Sequence, residues 1–468
     1  MKIAVIYPSF GVISATNQPN IKAVADNYGI YPNISLSYVA AALQKAGHEV
    51  IFLDAMAQGY SIEDMRKIVR KFSPDIMLFT LLTSLFHEIL EVISYFRKET
   101  DAKVIVGGAQ LSLYAKETMK NKLLDIGVIG EAEETIVELV SAIENKKLLQ
   151  DVKGIAFRRQ GKVIITEHRS LINNLDEIPF PARNLLPMNK YFSFISRYKN
   201  YTIMITSRGC PFKCKFCEQR TGNIRYRSAQ NVVDEIEECY TLYDVREIDF
   251  FDPLFTINKK RVMEICKEIR KRNIKIHWSC RSRVDTIDEE MIKAMKDAGC
   301  YRIYFGIESG DEAILRRIGK FTTLNQIRNA ISLAKNNNVL AFGYFIIGSP
   351  GETKQTIEKT IFLSKELNLD YAQFSRMSFL PGTLFYDEIK LSMGNDYWLN
   401  YTKEKNNEKQ LEMLDCDFSE KELDAFIKRA YKEFYFRPML IIKLLLGSRS
   451  PGEIFRYSKA AIDMIVKG

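Results

Sequence analysis

The sequence predicts an α/β protein that begins with a doubly wound parallel sheet, continues with a partial parallel barrel of six βα units and ends in a mostly helical region. Strand-like apolar runs alternate with helical patterns through the first 145 residues, and the alternation resumes from residue 200. The length of 468 residues exceeds one ordinary domain, and a composition of 46% hydrophobic and 27% charged residues can bury a large core. We therefore expect a globular protein with more than one domain.

The first sheet is predicted from five apolar runs, each of a length that suits a buried parallel strand. These runs are KIAVIY (2–7), EVIFLD (49–54), DIMLFT (75–80), KVIVGG (103–108) and DIGVIG (125–130). The helical patterns cover residues 35–47, 61–72, 84–99 and 131–145, with a shorter piece near 112–121. This order predicts a flavodoxin-like sheet of Rossmann type, which binds ligands outside the carboxyl ends of its strands. The long connection from Pro8 to Ile34 is expected to be functional, because compact domains rarely contain such loops without a role.

The sequence between the two strand-rich regions predicts a linker with a small hairpin. GIAFRRQGKVIIT alternates around Gln160-Gly161, a turn signal, and LDEIPFPARNLL is extended by its prolines. We predict the domain boundaries as 1–146 for the first domain, 147–195 for the linker, 196–400 for the barrel and 401–468 for the helical C-terminal region.

The barrel is predicted from six further strand patterns with helical patterns between them. The strands are YTIMIT (201–206), REIDFF (246–251), KIHWSC (275–280), RIYFGI (302–307), VLAFGYFIIG (339–348) and YAQFSR (371–376). Helix starts are predicted at Ser228, Asn258, Thr286 and Thr323, whose side chains can accept from backbone N–H groups. In parallel barrels, ligands lie at the carboxyl ends of the strands.

Charge and targeting patterns exclude several classes of protein. The net charge of +9 comes without an arginine-rich tract, so we do not predict nucleic-acid binding. The N-terminus reads as a strand and not as a signal peptide, and no apolar run is long enough to span a membrane. We therefore expect a cytoplasmic protein. Thiols stay reduced in that compartment, which argues against reading the eight cysteines as four disulfides.

The loop SRGCPFKCKFC (207–217) carries the most specific chemical signal, three cysteines at 210, 214 and 217. A structural zinc site needs four ligands, and no histidine or further cysteine lies nearby in the sequence. An iron–sulfur cluster suits the pattern better, because closely spaced thiolates are its usual ligands. Three thiolates on a four-iron cluster leave one iron open for a substrate. Lys213 and Lys215 would favour the thiolate form.

The spacing Cys210-x3-Cys214-x2-Cys217, with Phe216 before the last cysteine, resembles the signature of the radical S-adenosylmethionine (SAM) enzymes. The resemblance implies that the three cysteines hold a [4Fe-4S] cluster whose fourth iron binds the amine and carboxylate of SAM. It further implies that one-electron reduction cleaves SAM to methionine and a 5′-deoxyadenosyl radical, which abstracts hydrogen from the substrate.

Other stretches resemble the SAM-binding segments of the same family. FFDPLF, YFGIESG and GYFIIGSPGET occupy the ends of the second, fourth and fifth barrel strands, and Arg281 and Arg283 end the third. The resemblance implies SAM contacts from Phe216, Asp252, Arg281, Glu308, Ile346 and Gly348. Three of these readings have an ordinary alternative when taken alone: Glu308 as a solvated or capping carboxylate, the glycine turn as a common loop, and Phe216 as packing.

The N-terminal domain resembles the cobalamin-binding domains found in one subfamily of these enzymes. The matching stretches are PNISLSYVAAALQKAGHEVIFLDA (32–55), SPDIMLFT (73–80), VIVGGAQ (104–110) and VIGEAEETI (128–136). The nearest resemblance is to the branch that contains the anaerobic porphyrin cyclase and the hopanoid methylases. It implies cobalamin contacts from Thr80, Thr83, Ser84, Gly107, Gly108, Gln110, Gly130 and Glu131.

The chain departs from the cobalamin-binding pattern at two places. The motif Asp-x-His-x-x-Gly, whose histidine ligates cobalt, is absent after the first strand, and His48 and His87 fall in or beside helical patterns. Many relatives have Pro-His after the paired glycines, where this chain has Ala109-Gln110. We therefore expect cobalamin to bind without a protein histidine, and a domain that has lost cobalamin binding stays an alternative.

The resemblance as a whole implies a cobalamin-dependent radical SAM methyltransferase, in which an unactivated carbon loses hydrogen and takes a methyl group from methylcobalamin. One alternative is a cyclase, or a carbon–carbon bond-forming or oxidising enzyme, acting on a lipid or other apolar substrate without methyl transfer. Another is a non-catalytic iron–sulfur or corrinoid sensor. The expected partners are a small-molecule or lipid substrate, as in lipid or natural-product biosynthesis, and a one-electron reductant such as flavodoxin or ferredoxin. The basic, apolar C-terminal stretch suggests peripheral membrane contact, against the alternative of a helix packed on the barrel.

Overall fold

The computed structural model describes residues 1–8, 29–198, 200–218, 222–404 and 418–447. The chain folds into two compact units. Of the described residues, the first unit contains 1–8, 30–191 and 394–404, and the second contains 29, 192–393 and 418–447. The connection between Pro8 and Ile34, which the sequence predicts to be functional, lies mostly outside the described residues.

The first unit is built on one sheet. Its strands are β1 Lys2–Tyr7, β2 Glu49–Asp54, β3 Ile76–Thr80, β4 Lys103–Gly107, β5 Ile126–Val128, β6 Ile155–Arg159 and β7 Lys162–Ile165. Their spatial order is β2-β1-β3-β4-β5-β6-β7; β1 to β5 are parallel, and β6 and β7 form an antiparallel hairpin. The predicted flavodoxin-like order is confirmed. The hairpin predicted at Gln160-Gly161 extends this sheet.

Apart from the short helix Ala55–Gln58, for which the sequence predicts no pattern, the helices that accompany this sheet follow the predicted patterns. The helices are α1 Ile34–Lys45, α2 Ala55–Gln58, α3 Ile62–Phe72, α4 Phe86–Phe96, α5 Ala109–Thr118 and α6 Glu133–Glu144. Helix α3 begins with a capping box, in which Ser61 and Asp64 each accept from the other's backbone N–H. Strand β1 is buried from Ile3 to Ile6, as expected for a parallel strand between helical layers.

The second unit is built on a half-barrel of parallel strands. They are β8 Tyr201–Met204, β9 Glu247–Phe250, β10 His277–Arg283, β11 Cys300–Glu308, β12 Leu340–Ile347 and β13 Tyr371–Arg376. The spatial order follows the chain, and each neighbouring pair is parallel. The predicted partial barrel is confirmed. Two-residue strands also occur at Gly29–Ile30, Phe192–Ser193, Ser207–Arg208 and Arg225–Tyr226.

Helices connect the strands of the half-barrel. They are α7 Ala229–Leu242, α8 Lys259–Lys271, α9 Glu289–Asp297, α10 Glu312–Arg317, α11 Leu324–Asn336, α12 Lys354–Glu366 and α13 Leu384–Met393. Ser228, Asn258 and Thr323 cap helices as predicted. The start predicted at Thr286 is wrong, because Asp288 caps α9 by accepting from Met291 N–H at 2.9 Å.

The half-barrel alternates apolar and polar side chains along its strands. On β9, Ile248 and Phe250 are wholly buried and alternate with the buried acids Glu247 and Asp249. Arg302 on β11 is also wholly buried and lies 3.6 Å from Glu247 Oε1. Buried charges of this kind are tolerated because they are paired, and Glu247 also accepts from the Tyr301 hydroxyl at 2.5 Å.

Residues 394–404 return to the first unit, which the sequence boundaries do not predict. They contain α14 Tyr397–Lys403. The Gln110 amide donates to the Thr402 hydroxyl at 3.0 Å, and His87 Nε2 lies 2.6 Å from the carbonyl oxygen of Tyr401. These long-range bonds attach a segment that the sequence assigns to the end of the barrel.

The described C-terminal region is helical, with α15 Glu420–Tyr435 and α16 Pro438–Gly447. Helix α15 covers the edge strand β13, because the Tyr431 and Tyr435 hydroxyls accept from the Phe374 and Ala372 N–H groups at 3.2 and 3.1 Å. This protects backbone groups that an edge strand leaves unpaired.

Helix α16 exposes apolar side chains, among them Met439 at 77% and Ile442 at 49%. Residues 448–468 lie outside the described part of the chain. Peripheral membrane contact through this region therefore stays a prediction. Within the described residues, the helices are each too short or too polar to cross a bilayer.

Candidate functional site

The three cysteines lie in one loop at the carboxyl end of β8. The strand pair Ser207–Arg208 and Arg225–Tyr226 brackets the loop. Cys214 is buried and Cys210 and Cys217 are half-buried, all as free thiols. Cys217 N–H donates to Cys214 O, so the last two cysteines share one tight turn. The structure thus brings the predicted ligands to the strand end where parallel barrels bind ligands.

The middle of the cysteine loop is fixed by backbone bonds to distant segments. Lys215 N–H donates to Ile318 O at 2.9 Å, and Lys215 O accepts from Phe385 N–H at 3.0 Å. The Lys215 ammonium adds an ion pair with Glu388 at 2.7 Å. These contacts hold the loop from the end of α10 and the start of α13.

Asp252 holds the first residues of the cysteine loop. Its carboxylate is wholly buried and accepts from Thr206 N–H at 2.6 Å, Thr206 Oγ1 at 2.6 Å and Ser207 Oγ at 2.7 Å. Arg261 donates to Thr206 O from the other side at 2.9 Å. The family resemblance implies a SAM contact from Asp252, and in this structure both of its oxygens accept from the chain's own donors. These bonds position the start of the loop.

Charged groups surround the Cys214 thiol. Burial raises the pKa of this thiol, and the cations Lys320 and Arg283 oppose the rise. Lys320 Nζ also pairs with Glu308 Oε1 at 2.7 Å, and both side chains are less than a tenth exposed. Metal binding requires the thiolate, which nearby cations favour.

Glu308 has an unusual, left-handed backbone conformation. Its φ is +68°, and the register with β12 shifts between Gly306 and Glu308. A Cβ on Gly306 would lie 2.5 Å from both Glu308 Oε1 and Lys320 Nζ, so glycine leaves room for the ion pair. The sequence predicts Glu308 but misses Lys320, since RRIGKFTT (316–323) carries no motif.

Arg281 is committed to an ion pair on the neighbouring strand. Its Nη1 donates to Asp249 Oδ1 at 2.7 Å and to Phe250 O at 2.9 Å. The guanidinium lies 3.7 Å from the centre of the Phe251 ring. The SAM contact that the resemblance implies for Arg281 would have to share the guanidinium with these bonds, and it stays a prediction.

Glu352 binds the backbone of the glycine turn in the fifth-strand motif. Its Oε2 accepts from Gly348 and Ser349 N–H at 2.6 and 2.9 Å, while its Oε1 and Ser349 Oγ are buried without a partner among the described residues. Gly348 is buried against Leu423 of α15, and Ile346 is half-buried on β12. The Gly348 N–H is thus already bonded, which leaves Ile346 the more accessible of the two predicted SAM contacts. Phe216 is half-buried in the cysteine loop.

Glu352→Gln is expected to remove a pH dependence of stability. Burial raises the pKa of Glu352 from 4.5 to about 7, so the folded state holds a proton that the unfolded state releases. This stability is complete below pH 4.5 and is lost as the pH rises through about 7. The full loss is about 3 kcal/mol. Glutamine keeps one oxygen for both N–H bonds and does not titrate.

Thermal unfolding between pH 5.5 and 8.5 measures this prediction. The wild-type melting temperature should fall over this range more steeply than that of Glu352→Gln. Glu264→Gln, an exposed change on α8, is the matched control and should keep the wild-type slope. Parallel slopes for all three proteins would contradict a titrating Glu352.

The predicted cobalamin contacts of the first unit gather at the carboxyl ends of three adjacent strands. Five of them that are half-buried or exposed are Thr80, Ser84, Gly107, Gly108 and Gly130. Thr80 and Gly107 are register partners on β3 and β4. Gly108 has φ +103°, and a Cβ there would lie 2.7 Å from Leu81 O, so only glycine fits. The edge offers flat, accessible backbone beside hydroxyl groups.

Three predicted contacts have other surroundings. The Thr83 hydroxyl is buried without a partner among the described residues, so it can still bond a ligand. Glu131 Oε2 accepts from Ile172 N–H at 2.9 Å. Gln110 is wholly buried, and its amide donates to Thr118 and Thr402, while its Oε1 has no partner among the described residues. A cobalamin contact from Gln110 stays a prediction.

The donor sets suit the implied cofactors. Three free thiols in one loop suit a four-iron cluster with one open iron. Among the described residues, no three His, Cys, Asp or Glu side chains group around a single metal ion, and the thiolates of a four-iron cluster bind different irons. The orphan Thr83 hydroxyl and the open space around Gly130 suit a large ligand at the first sheet.

Two family models match the chain. The model described as the radical SAM superfamily matches residues 204–363, and the model described as the B12 binding domain matches residues 21–140. The first match spans the cysteine loop and most of the half-barrel. The second spans most of the first unit's parallel sheet.

Known proteins match over most of the chain. An uncharacterised methyltransferase of Pyrococcus horikoshii is 35% identical over 100% of this chain and 98% of its own length. The anaerobic magnesium-protoporphyrin IX monomethyl ester cyclase of Rubrivivax gelatinosus is 30% identical over 78% of this chain and 67% of its own length. The solved structure of the cobalamin-dependent SAM radical enzyme OxsB, with aqua-cobalamin and SAM bound, has a TM-score of 0.73 at 18% identity. It covers 100% of this chain and 71% of OxsB, and this likeness is one of fold.

Proposed function

The chain belongs to the radical SAM superfamily, in the branch that carries a B12-binding domain, and we propose that it is a cobalamin-dependent methyltransferase acting on an unactivated carbon. The observation that carries the proposal is the pairing of two donor sets in one chain. A three-thiol loop ends the first barrel strand, and an accessible, glycine-rich edge ends the strands of the N-terminal sheet. Together the bound cofactors supply a hydrogen-abstracting radical and a methyl group.

The second unit holds the cluster and SAM in this proposal. The three cysteine thiolates bind iron, and the residues that we assign to SAM are Phe216, Glu308, Ile346 and Gly348. Asp252 and Arg261 keep the start of the loop in place, since both bond Thr206. The buried Glu308–Lys320 pair keeps a polar wall beside Cys214. This wall orients bound SAM and excludes water from it.

The first unit holds cobalamin in this proposal. Its contacts are Thr80, Thr83, Ser84, Gly107, Gly108, Gly130 and Glu131. The glycines let a flat macrocycle approach the backbone closely, and the hydroxyls bond its amide groups. We infer that cobalamin would bind without a protein histidine on cobalt; His87 Nε2, for one, is already bonded to Tyr401 O. We propose that residues 1–146 serve cobalamin and that the barrel predicted over 196–400 serves SAM, except for residues 394–400, which belong to the first unit.

Deuteriomethyl SAM tests methyl transfer directly. The experiment incubates reconstituted protein without oxygen, together with a one-electron reductant and candidate apolar or lipid substrates. Mass spectrometry then gives the masses of the products. We expect a product heavier by one labelled methyl group, with S-adenosylhomocysteine and 5′-deoxyadenosine formed together. A product that carries no label would contradict the methyltransferase.

A cyclase or bond-forming enzyme is the second candidate, and the similarity to the Rubrivivax cyclase favours it. Such an enzyme would abstract hydrogen with the same cluster loop but would not consume a methyl group. S-adenosylhomocysteine distinguishes the two: a methyltransferase forms it with each turnover, and a cyclase forms 5′-deoxyadenosine without it.

A further inference from the structure

Arg283, the last residue of β10, reaches across the half-barrel to the cysteine loop. Its side chain is less than a tenth exposed, and its Nη1 lies 3.9 Å from Cys214 Sγ. The guanidinium also lies 3.8 Å from the centre of the Phe212 ring, within the same loop. A buried cation thus approaches one predicted cluster ligand from a different strand.

The other two nitrogens of the Arg283 guanidinium already donate hydrogen bonds. Nε and Nη2 donate to the two carboxylate oxygens of Asp285 at 2.9 Å each, and Nη2 donates to Lys320 O at 2.9 Å. These three bonds leave Nη1 facing the sulfur. Such a bidentate pair holds a planar guanidinium in one orientation, which a flexible lysine would not do.

We propose that Arg283 is a positioning residue that tunes the iron–sulfur cluster: it donates a hydrogen bond to the Cys214 thiolate and raises the midpoint potential of the cluster. This rests on the proposed function, in which Cys214 is a cluster ligand. Reduction adds one electron from a one-electron donor, with no bond broken and no proton moved. A nearby positive charge and a donor to sulfur stabilise the reduced, more negative cluster more than the oxidised one.

Charges around Arg283 make the effect testable by its sign. Asp285 partly neutralises the guanidinium, and the Glu308–Lys320 pair is balanced within itself. Loss of the Arg283 charge should lower the midpoint potential, and loss of the Asp285 charge should raise it. If Arg283 and Asp285 had only a structural role, joining β10 to Lys320, removing either residue would weaken the same contact. The midpoint potential would then not shift in opposite directions in the two variants.

An anaerobic redox titration of the reconstituted full-length protein, followed by electron paramagnetic resonance of the reduced cluster, tests the proposal. At a fixed potential, Arg283→Gln should lower the ratio of reduced to oxidised cluster about tenfold, which is about 59 mV for a one-electron couple. Asp285→Asn should raise the ratio. Arg316→Gln, which removes an equal charge that pairs with Glu312 on the same helix, is the control and should keep the wild-type ratio.

The outcomes separate this inference from the proposed function. Wild-type protein that binds no cluster would contradict the function itself. A loaded Arg283→Gln variant with the wild-type ratio, or shifts of the same sign for Arg283→Gln and Asp285→Asn, would overturn the tuning role alone. If Arg283→Gln binds no iron, Asp285→Asn decides: a raised ratio supports the proposal, and an unchanged or lowered ratio overturns it.

Discussion

Cys214→Ala is expected to purify as a folded protein without an iron–sulfur cluster and to cleave SAM more than about 100-fold more slowly than the wild type. Cys214 is the buried member of the three-cysteine loop, with Arg283 Nη1 and the Lys320 charge beside it. Alanine removes one of three thiolates, and two thiolates do not hold a four-iron cluster in this geometry. Iron content, visible absorption and 5′-deoxyadenosine formation measure the loss.

Cys239→Ala is the matched control, because Cys239 is a wholly buried cysteine on α7, outside the loop. It should keep full iron content and SAM cleavage. Because Cys214 is itself buried, thermal unfolding of both variants without iron shows whether a loss reflects misfolding. A folded Cys214→Ala protein with wild-type iron content would remove the cysteine loop from the proposed site.

Features that depend on local sequence could be predicted before the structure. The cysteine spacing, the strand ends that carry Glu308 and Gly348, and the paired glycines after β4 all follow from short motifs and from alternating apolar runs. Parallel strands bring their carboxyl ends to one edge, so knowing the strands was enough to know which residues gather there.

Features that depend on long-range pairing could not be predicted. Asp252 resembles a ligand contact at a strand end, but its carboxylate accepts hydrogen bonds from Thr206 and Ser207, which lie more than 40 positions earlier. Lys320 lies in no recognisable motif, and it belongs to the site because its ammonium pairs with the Glu308 carboxylate. The Gln110 amide donates to Thr402, which lies 292 positions later in the chain. Side-chain partners of this kind are set by tertiary packing and not by periodicity.

Gly107→Phe is expected to reduce cobalamin-dependent methyl transfer while SAM cleavage continues. Gly107 ends β4 at the accessible edge of the first sheet, beside Thr80. Its φ is not positive, and an added Cβ would meet Val128 at 3.9 Å, an ordinary contact, so the fold should tolerate a side chain. A phenyl ring there would occupy the space that we assign to cobalamin. A steric cost of about 1–3 kcal/mol weakens binding roughly fivefold to 150-fold.

The variant should therefore lose cobalamin while keeping the cluster, because Cys210, Cys214 and Cys217 belong to the other unit. It should still form 5′-deoxyadenosine from SAM, but S-adenosylhomocysteine and the labelled methyl product should fall with the corrinoid absorption. Gly107→Ala is the control: it adds a methyl group within ordinary contact distance and should bind cobalamin close to the wild-type level. If Gly107→Phe binds cobalamin as the wild type does, the ligand does not lie on this edge. If it loses cobalamin yet still transfers the label, methyl transfer does not pass through this domain.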